Sequence, residues 1–194
     1  TNIVPGAFYN SGLEDVVMPT NITAIGDNAF GGCYLYQLNV PPGVAYIGDL
    51  AFADNDLEWV VIPASVKVLG NAAFQGNSLY HVELTNGLVS IGDAAFGDNE
   101  IEQIYLPNTL TNIGATAFKY NQLTALVIPP QIVEIQTETF SGNRLQSVSL
   151  PVGLRNIGEL AFNNNGLATL VIPPGVTNIG ASAFSNNNIT SLEL

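Results

Sequence analysis

The sequence contains few of the residues that carry chemistry. Its 194 residues include one cysteine, one histidine and four basic residues against sixteen acidic ones, for a net charge of −12. The single cysteine, Cys33, excludes an internal disulfide and leaves the redox compartment open. Four bases cannot neutralise a phosphate track, so we expect neither nucleic acid nor an anionic membrane surface as a partner. No apolar run approaches the roughly 18 residues of a transmembrane span, so we expect no membrane insertion.

What the sequence has in abundance is a repeat of 22 residues without insertion or gap. New repeats begin at Ile3, Ile25, Ile47, Leu69, Ile91, Ile113, Ile135, Ile157 and Ile179. A fixed period of this size is typical of a solenoid in which each repeat forms one coil. We therefore predict a single solenoid domain over residues 1–194. Positions 1 to 22 are numbered below from the start of each repeat.

The columns of the repeat predict how each coil is built. All nine phenylalanines fall at position 6, where we expect every ring to be buried in the core, and alanine precedes them in every repeat except at Thr139. Apolar residues at positions 11, 14 and 16 predict a short strand with these side chains inside, and proline ends it at position 17 in seven of eight repeats. Strands of successive repeats must stack in parallel, about 4.8 Å apart. We predict a β-rich, right-handed coil of nine repeats with one parallel sheet and little helix.

Two further columns predict backbone features of the return half of each coil. Glycine at position 2 indicates positive φ angles, and because Val4 and Gln136 interrupt this column we expect local deviations in repeats 1 and 7. Asparagine occupies position 9 in repeats 3 to 9, where its amide can satisfy the backbone of a tight buried bend. This predicted ladder comprises Asn55, Asn77, Asn99, Asn121, Asn143, Asn165 and Asn187.

The combined pattern, L-x-x-L-x-I-P-x-x-V-x-x-I-G-x-x-A-F-x-x-N, is nearly intact from Leu167 to Asn187. It resembles the BspA-like class of leucine-rich repeats over the whole chain. The resemblance implies a secreted or cell-surface microbial protein that binds host proteins, other cells or matrix, with no catalytic residues and no cofactor. In that family the position-9 residue is often cysteine, so Cys33 is an ordinary variant.

Candidate chemical sites are scarce. His81 and Cys33 lie two repeats apart, one in an outward column and one in an inward column, so we expect no Cys–His pair and no enzyme. Asp27 and Asp49 stand in adjacent repeats and could share a Ca²⁺ ion. The alternative is a solvated acidic edge that keeps the solenoid soluble, and the sequence leaves this choice open.

The outward strand face is the predicted place for ligand recognition. Repeats 1 to 5 carry aromatic and acidic residues there, while repeats 6 to 9 carry small ones, and residues 1–105 hold twelve of the sixteen acids but one of the four bases. Exposed aromatic clusters mark interfaces, although drift on a solvated strand face is the alternative. We expect a protein, particularly a basic one, or a glycan to bind here. The candidate residues are Tyr36, Glu58, Trp59, Tyr80, His81, Glu102 and Tyr105.

A competing prediction concerns the chain ends. The sequence has no initiator methionine or signal peptide, so we expect a mature form or a trimmed segment. Repeats 1 and 9 keep the apolar consensus where terminal repeats are normally polar. A structural unit that assembles end to end into an extracellular fibre or layer is therefore the alternative to an adhesion module at the cell surface.

Overall fold

The computed structural model describes residues 1–194 and contains short strands and turns, with no helix. Each repeat forms one coil, and every paired strand lies 22 residues from its partner in parallel orientation. The predicted solenoid is therefore confirmed. The strands are β1 (Asn2–Ile3), β2 (Ala24–Ile25), β3 (Tyr46–Ile47), β4 (Trp59–Ile62), β5 (Val68–Leu69), β6 (His81–Leu84), β7 (Ser90–Ile91), β8 (Asn112–Ile113), β9 (Ala125–Val127), β10 (Glu134–Ile135), β11 (Ser147–Ser149), β12 (Asn156–Ile157), β13 (Thr169–Val171), β14 (Asn178–Ile179) and β15 (Ser191–Glu193).

The strands form two rows on different sides of the coil, where we predicted one sheet. The longer strands come from the L-x-x-L-x-I segment of six repeats and join only in pairs: β4 with β6, β9 with β11 and β13 with β15. The two-residue strands end on position 1 and form a six-stranded and a three-stranded sheet. The strand face is thus interrupted, and repeats 1, 2 and 5 contribute no strand to it.

The core is a stack of phenylalanine rings that runs the length of the solenoid. Neighbouring rings are nearly parallel, with centroids 5.1 to 5.7 Å apart. The seven rings from Phe30 to Phe162 are fully buried, as predicted. The prediction is wrong for Phe8, whose side chain is 42% exposed because no coil covers it in this structure. Phe184, in the last coil, is half-buried.

The asparagine ladder is confirmed in all seven repeats. Asn55 is typical: its Oδ1 accepts the backbone N–H of Leu35 in the preceding repeat at 3.0 Å. Its Nδ2 donates to the carbonyls of Phe30, Phe52 and Ala53 at 2.9 to 3.1 Å. Each amide therefore holds its own bend and joins it to the coil before. In repeat 2 the Cys33 thiol donates to the Phe8 carbonyl at 3.1 Å in the same place.

The glycine column does not have the predicted positive φ angles. None of the position-2 glycines lies in the left-handed region, which is occupied instead by positions 4 and 8 in every repeat. The glycines are needed for close approach: a Cβ on Gly70 would lie 2.5 Å from the backbone nitrogen of Asp49 in the preceding coil. The left-handed bends are made largely by other residues, including Leu50 and Thr116.

The expected deviation occurs in repeat 7 but not in repeat 1. Each position-2 glycine donates its N–H to the position-1 carbonyl of the preceding repeat, and Gln136 alone among later repeats makes no such bond. The row of short strands breaks at this point, between β8 and β10. Repeat 1 keeps the common register, because no coil lies before Val4 in this structure.

Candidate functional site

The seven candidate residues all lie on the outer surface of the solenoid, where positions 12, 13 and 15 point away from the core. Trp59 and His81 are direct neighbours in the pairing of β4 with β6, and a single bridge joins His81 to Gln103 in the next repeat. Tyr80 precedes His81 and is 54% exposed, while Tyr105 is 83% exposed. Coils about 5 Å apart therefore hold these aromatic side chains in one patch over repeats 2 to 5.

Position 12 alternates between tyrosine and glutamate along this patch, as Tyr36, Glu58, Tyr80 and Glu102. The N–H of Tyr80 donates to the carbonyl of Glu58 at 3.0 Å, which fixes the two residues side by side. Glu58 and Glu102 stand in the coils on either side of Tyr80, and the backbones of neighbouring coils lie about 5 Å apart. A cation over this ring would meet both the negative face of the aromatic and two carboxylates.

The acidic side chains of this patch have no basic partner within the chain. The chain's one ion pair joins Lys119 to Glu138, in repeats 6 and 7. The hydrogen bond from Lys119 to Glu138 raises the pKa of Lys119, while burial acts in the opposite direction. The Lys119 ammonium also lies 4.9 Å from the centroid of the Tyr120 ring. Repeats 1 to 5 therefore carry an excess of acidic side chains, with Lys67 as their single basic residue.

A second side-chain ladder, which the sequence reasoning missed, explains part of the acidic composition. Asp27 Oδ1 accepts the N–H of Asp49 at 3.0 Å, and Asp49 Oδ1 accepts the N–H of Asn71 at 2.7 Å. Asn71 and Asp93 continue the ladder, accepting the next N–H at 2.9 and 2.8 Å. The available signal was an aspartate or asparagine at position 3 in four consecutive repeats. These carboxylates hold backbone amides in place.

The pKa of Tyr46 depends on the charges of this ladder. Burial first, and then the negative charges of Asp27 and Asp49, raise the pKa of the Tyr46 phenol. The question of a shared Ca²⁺ ion concerns the same two carboxylates, each of which already accepts a backbone N–H. No group of three or more histidine, cysteine, aspartate or glutamate side chains in the chain could hold a metal ion.

The histidine and the cysteine lie on opposite surfaces of the coil wall. Cys33 is 2% exposed in the core, in contact with the Ser11 hydroxyl at 3.4 Å. His81 is exposed on the strand face beside Trp59.

No helix of the structure is long and apolar enough to cross a membrane.

Shallow grooves border the aromatic patch. One groove of about 260 Å³ lies between repeats 1 and 2, and its lining includes Asp15, Val17, Gln37 and, from repeat 3, Trp59. A second, of about 440 Å³, lies between repeats 5 and 6 beside Tyr105. Both occur where the strand face is not paired. The grooves thus mark openings between neighbouring coils.

A solenoid of 22-residue coils with an inward leucine and phenylalanine core and an asparagine ladder defines a leucine-rich-repeat protein. The family model described as the BspA type leucine rich repeat region, in six copies, matches residues 1–124 and 111–194. The chain therefore belongs to the BspA-type leucine-rich-repeat family. Proteins of this family are generally protein-interaction modules on bacterial surfaces and typically non-enzymatic scaffolds. No curated protein matches the chain.

Solved structures with the same fold come from several bacteria. The pneumococcal vaccine antigen PcpA is 20% identical with a TM-score of 0.53, covering 90% of this chain and 60% of its own. YopM from Yersinia enterocolitica is 22% identical with a TM-score of 0.56, covering 92% and 41%. The leucine-rich-repeat protein of T. pallidum is 25% identical with a TM-score of 0.52, covering 88% and 69%. The chain thus spans 60% of the PcpA structure and less than half of YopM.

Proposed function

We propose that this protein is a non-catalytic adhesion or recognition module of the bacterial surface or extracellular space. It binds a partner protein through the strand face of repeats 2 to 5. The observation that carries the proposal is the exposed aromatic patch of Trp59, Tyr80 and Tyr105, in a part of the chain where acidic residues are in excess and form no ion pair. Tryptophan and tyrosine are enriched among the few residues that carry most of the binding energy at protein interfaces, and the excess of acidic residues favours a basic partner.

The alternating column at position 12 supports the basic partner more specifically. A lysine or arginine side chain over Tyr80 would lie between the carboxylates of Glu58 and Glu102, which stand in the coils on either side. Such a contact combines a cation–π interaction with charge-assisted hydrogen bonds. A glycan stacked on the aromatic rings remains the second ligand class, since Trp59 and Tyr80 offer exposed rings to it as well.

The test uses purified extracellular matrix proteins and immobilised oligosaccharides, with affinity measured by biolayer interferometry. Trp59→Ala and Tyr80→Ala should each cost about 2 kcal/mol or more, which is a loss of affinity of about thirtyfold. The matched control is Thr169→Ala with Gln146→Ala, at the same two positions in repeats 8 and 7. If the variant that combines Trp59→Ala and Tyr80→Ala binds the ligand with unchanged affinity, this face is not the binding site.

Salt dependence separates the two ligand classes. Binding of a basic protein should weaken as ionic strength rises, because exposed charge pairs are screened within about 10 Å at 0.1 M salt. Stacking of a neutral sugar should change little. Glu58→Gln and Glu102→Gln should reproduce the salt effect for a basic protein and leave the binding of a neutral oligosaccharide unaltered.

End-to-end assembly into a fibre or layer is the alternative function. The outermost coils expose apolar side chains, among them Phe8 and Leu192. Any neighbouring coil would cover them, whether it came from further repeats, another domain or a second copy. Molecular mass measured against concentration by analytical ultracentrifugation distinguishes the two functions. A mass that rises steadily with concentration would favour assembly, and a constant monomer mass would favour the recognition module.

A further inference from the structure

The groove beside Tyr105 is a step on the strand face between repeats 5 and 6. Its volume is about 440 Å³, within the range of sites that hold a ligand. Gln103 and Tyr105 form its high side, and Ala125 and Val127 form its low side. The step arises because positions 13 and 15 carry large residues in repeat 5 and small ones in repeat 6. Val127 is 69% exposed, so the floor of the groove is apolar and open.

The backbone along the groove is also unpaired. On the strand face, the only bridge between repeats 4 and 5 is the one at Gln103, and the backbone of Ile104, Tyr105 and Leu106 makes no hydrogen bond to either neighbouring repeat. On the other side of the groove, β9 pairs only with β11. Ile104 and Leu106 line the groove although their side chains pack in the core, so their unpaired N–H and C=O groups are the ones that an extended peptide in the groove can reach.

The opposite flank of Tyr105 is polar and acidic. A second groove of about 430 Å³ lies there, between repeats 4 and 5, and its lining includes Glu83, Asn86 and Asn108. Glu83 and Glu102 are both exposed, and neither has a basic partner within the chain. Tyr105 therefore separates an apolar groove from an acidic one.

We propose that the groove between repeats 5 and 6 binds an aliphatic side chain from an extended, basic segment of the partner protein. This inference rests on the proposed function and names the segment that the strand face recognises. The aliphatic side chain packs on Val127 against the Tyr105 ring, and the segment's main chain hydrogen-bonds to the free backbone of residues 104–106. A neighbouring lysine or arginine reaches across Tyr105 to Glu83 or Glu102. A second copy of this chain is a poor occupant, because both copies carry a net charge of −12.

The first experiment uses two short peptides and nuclear magnetic resonance of the isotope-labelled protein. Acetyl-Lys-Leu-Lys-amide should shift the amide signals of Tyr105, Leu106, Leu126 and Val127. Acetyl-Lys-Ser-Lys-amide has the same charge but no aliphatic side chain, and it should leave the signals of Leu126 and Val127 in place. Equal shifts with both peptides, or shifts of the leucine peptide only outside the groove, would overturn the proposal.

The second experiment uses a matched pair of variants. Val127→Lys fills the groove and should abolish the shifts caused by the leucine peptide at Leu126. Val171→Lys adds the same charge at the same position of repeat 8, where the side chain is 57% exposed, and should leave those shifts unchanged. Both positions point to solvent, so neither variant should unfold the coil. Persistence of the shifts in Val127→Lys would refute the site.

The Tyr80→Ala variant separates this inference from the proposed function. It should leave the peptide shifts at Val127 intact, because Tyr80 does not line the groove. A partner protein that binds the Tyr80→Ala variant normally but does not bind the Val127→Lys variant would refute the proposed role of Tyr80 and support the groove. If Val127→Lys binds the partner and the peptide as the parent protein does, the groove is wrong.

Discussion

Replacement of Asn99 by alanine tests the internal ladder at the middle of the solenoid. Asn99 is 7% exposed, and its Oδ1 accepts the N–H of Leu79 at 3.0 Å. Its Nδ2 donates to the carbonyls of Phe74, Phe96 and Gly97 at 2.9, 3.2 and 3.1 Å. The alanine variant removes all four bonds without changing the apolar core.

The loss of stability in Asn99→Ala depends on which of the groups that bonded to Asn99 keep another hydrogen-bond partner. The Phe74, Phe96 and Gly97 carbonyls each accept a second donor, from Asn77, Asn121 and the Gly76 N–H respectively. The Leu79 N–H has no other acceptor and would be left buried and unsatisfied. One orphaned group costs about 1–3 kcal/mol, and three lost bonds to satisfied carbonyls cost about 1 kcal/mol each at most. We expect unfolding free energy to fall by about 4 kcal/mol.

The assay is chemical denaturation combined with hydrogen exchange of the Leu79 amide. Exchange at this amide should accelerate more than at amides two coils away. Asn187→Ala is the matched control: it makes the same set of bonds in the last coil but is only partly buried, so water can replace them and the loss should be about 1–2 kcal/mol. A loss below about 1 kcal/mol for Asn99→Ala, with the Leu79 amide still protected, would contradict the reasoning.

Three other measurements test the core, the bends and the acidic ladder. Phe118→Ala, in the middle of the stack, should cost about 3–5 kcal/mol in denaturant unfolding, and Phe8→Ala clearly less because that ring is 42% exposed. Thr116→Gly should raise the free energy of unfolding by about 0.5–1 kcal/mol. Thr116 has φ +54°, and a left-handed conformation costs a residue with a side chain about 1–2 kcal/mol. Glycine avoids this cost but loses more backbone entropy on folding, which offsets part of the gain. Asp27→Asn should lower the raised pKa of Tyr46 towards the ordinary value of about 10, as followed by ultraviolet titration. The neutral phenol's contribution to stability is present below that value and falls as pH rises through the folded pKa, and a pKa unmoved by Asp27→Asn would contradict the assigned cause.

Columns with one physical explanation could be predicted from the sequence. A phenylalanine at position 6 of every repeat can only fill the core, and an asparagine beside a buried bend can only satisfy it, so burial and hydrogen bonds agree with both predictions. Glycine at position 2 has two possible explanations, positive φ and close approach to the preceding coil, and the sequence pattern does not distinguish them. Position 4 has positive φ but holds Leu50, Ala72 and Glu138 in different repeats, so no residue type marks it. Position 8 also has positive φ and holds glycine, asparagine or aspartate in eight of nine repeats, a signal that the sequence did offer.

The outward direction of the candidate residues also followed from the columns, but the shape of their surface did not. Positions 14 and 16 point inward, which leaves positions 12, 13 and 15 outside, as Trp59 and Tyr105 are. The grooves depend on where neighbouring strands fail to pair, and that depends on backbone spacing between coils. The groove beside Tyr105 could have been suspected only from the change of residue size between Tyr105 and Val127.

The irregular residues of repeat 7 act together. A side chain at position 2 meets the preceding coil, so Gln136 loses the bond of 2.7 to 2.9 Å that the glycines make there. Thr139, the one break in the alanine column, is fully buried, and its hydroxyl lies 2.9 Å from the Gln136 carbonyl and 3.3 Å from that of Gly114. Lys119 pairs with Glu138 across the same two repeats. Gln136 interrupts the backbone ladder between repeats 6 and 7, and Thr139 and the Lys119–Glu138 pair connect the same two repeats. Exceptions to a repeat pattern are therefore best interpreted together.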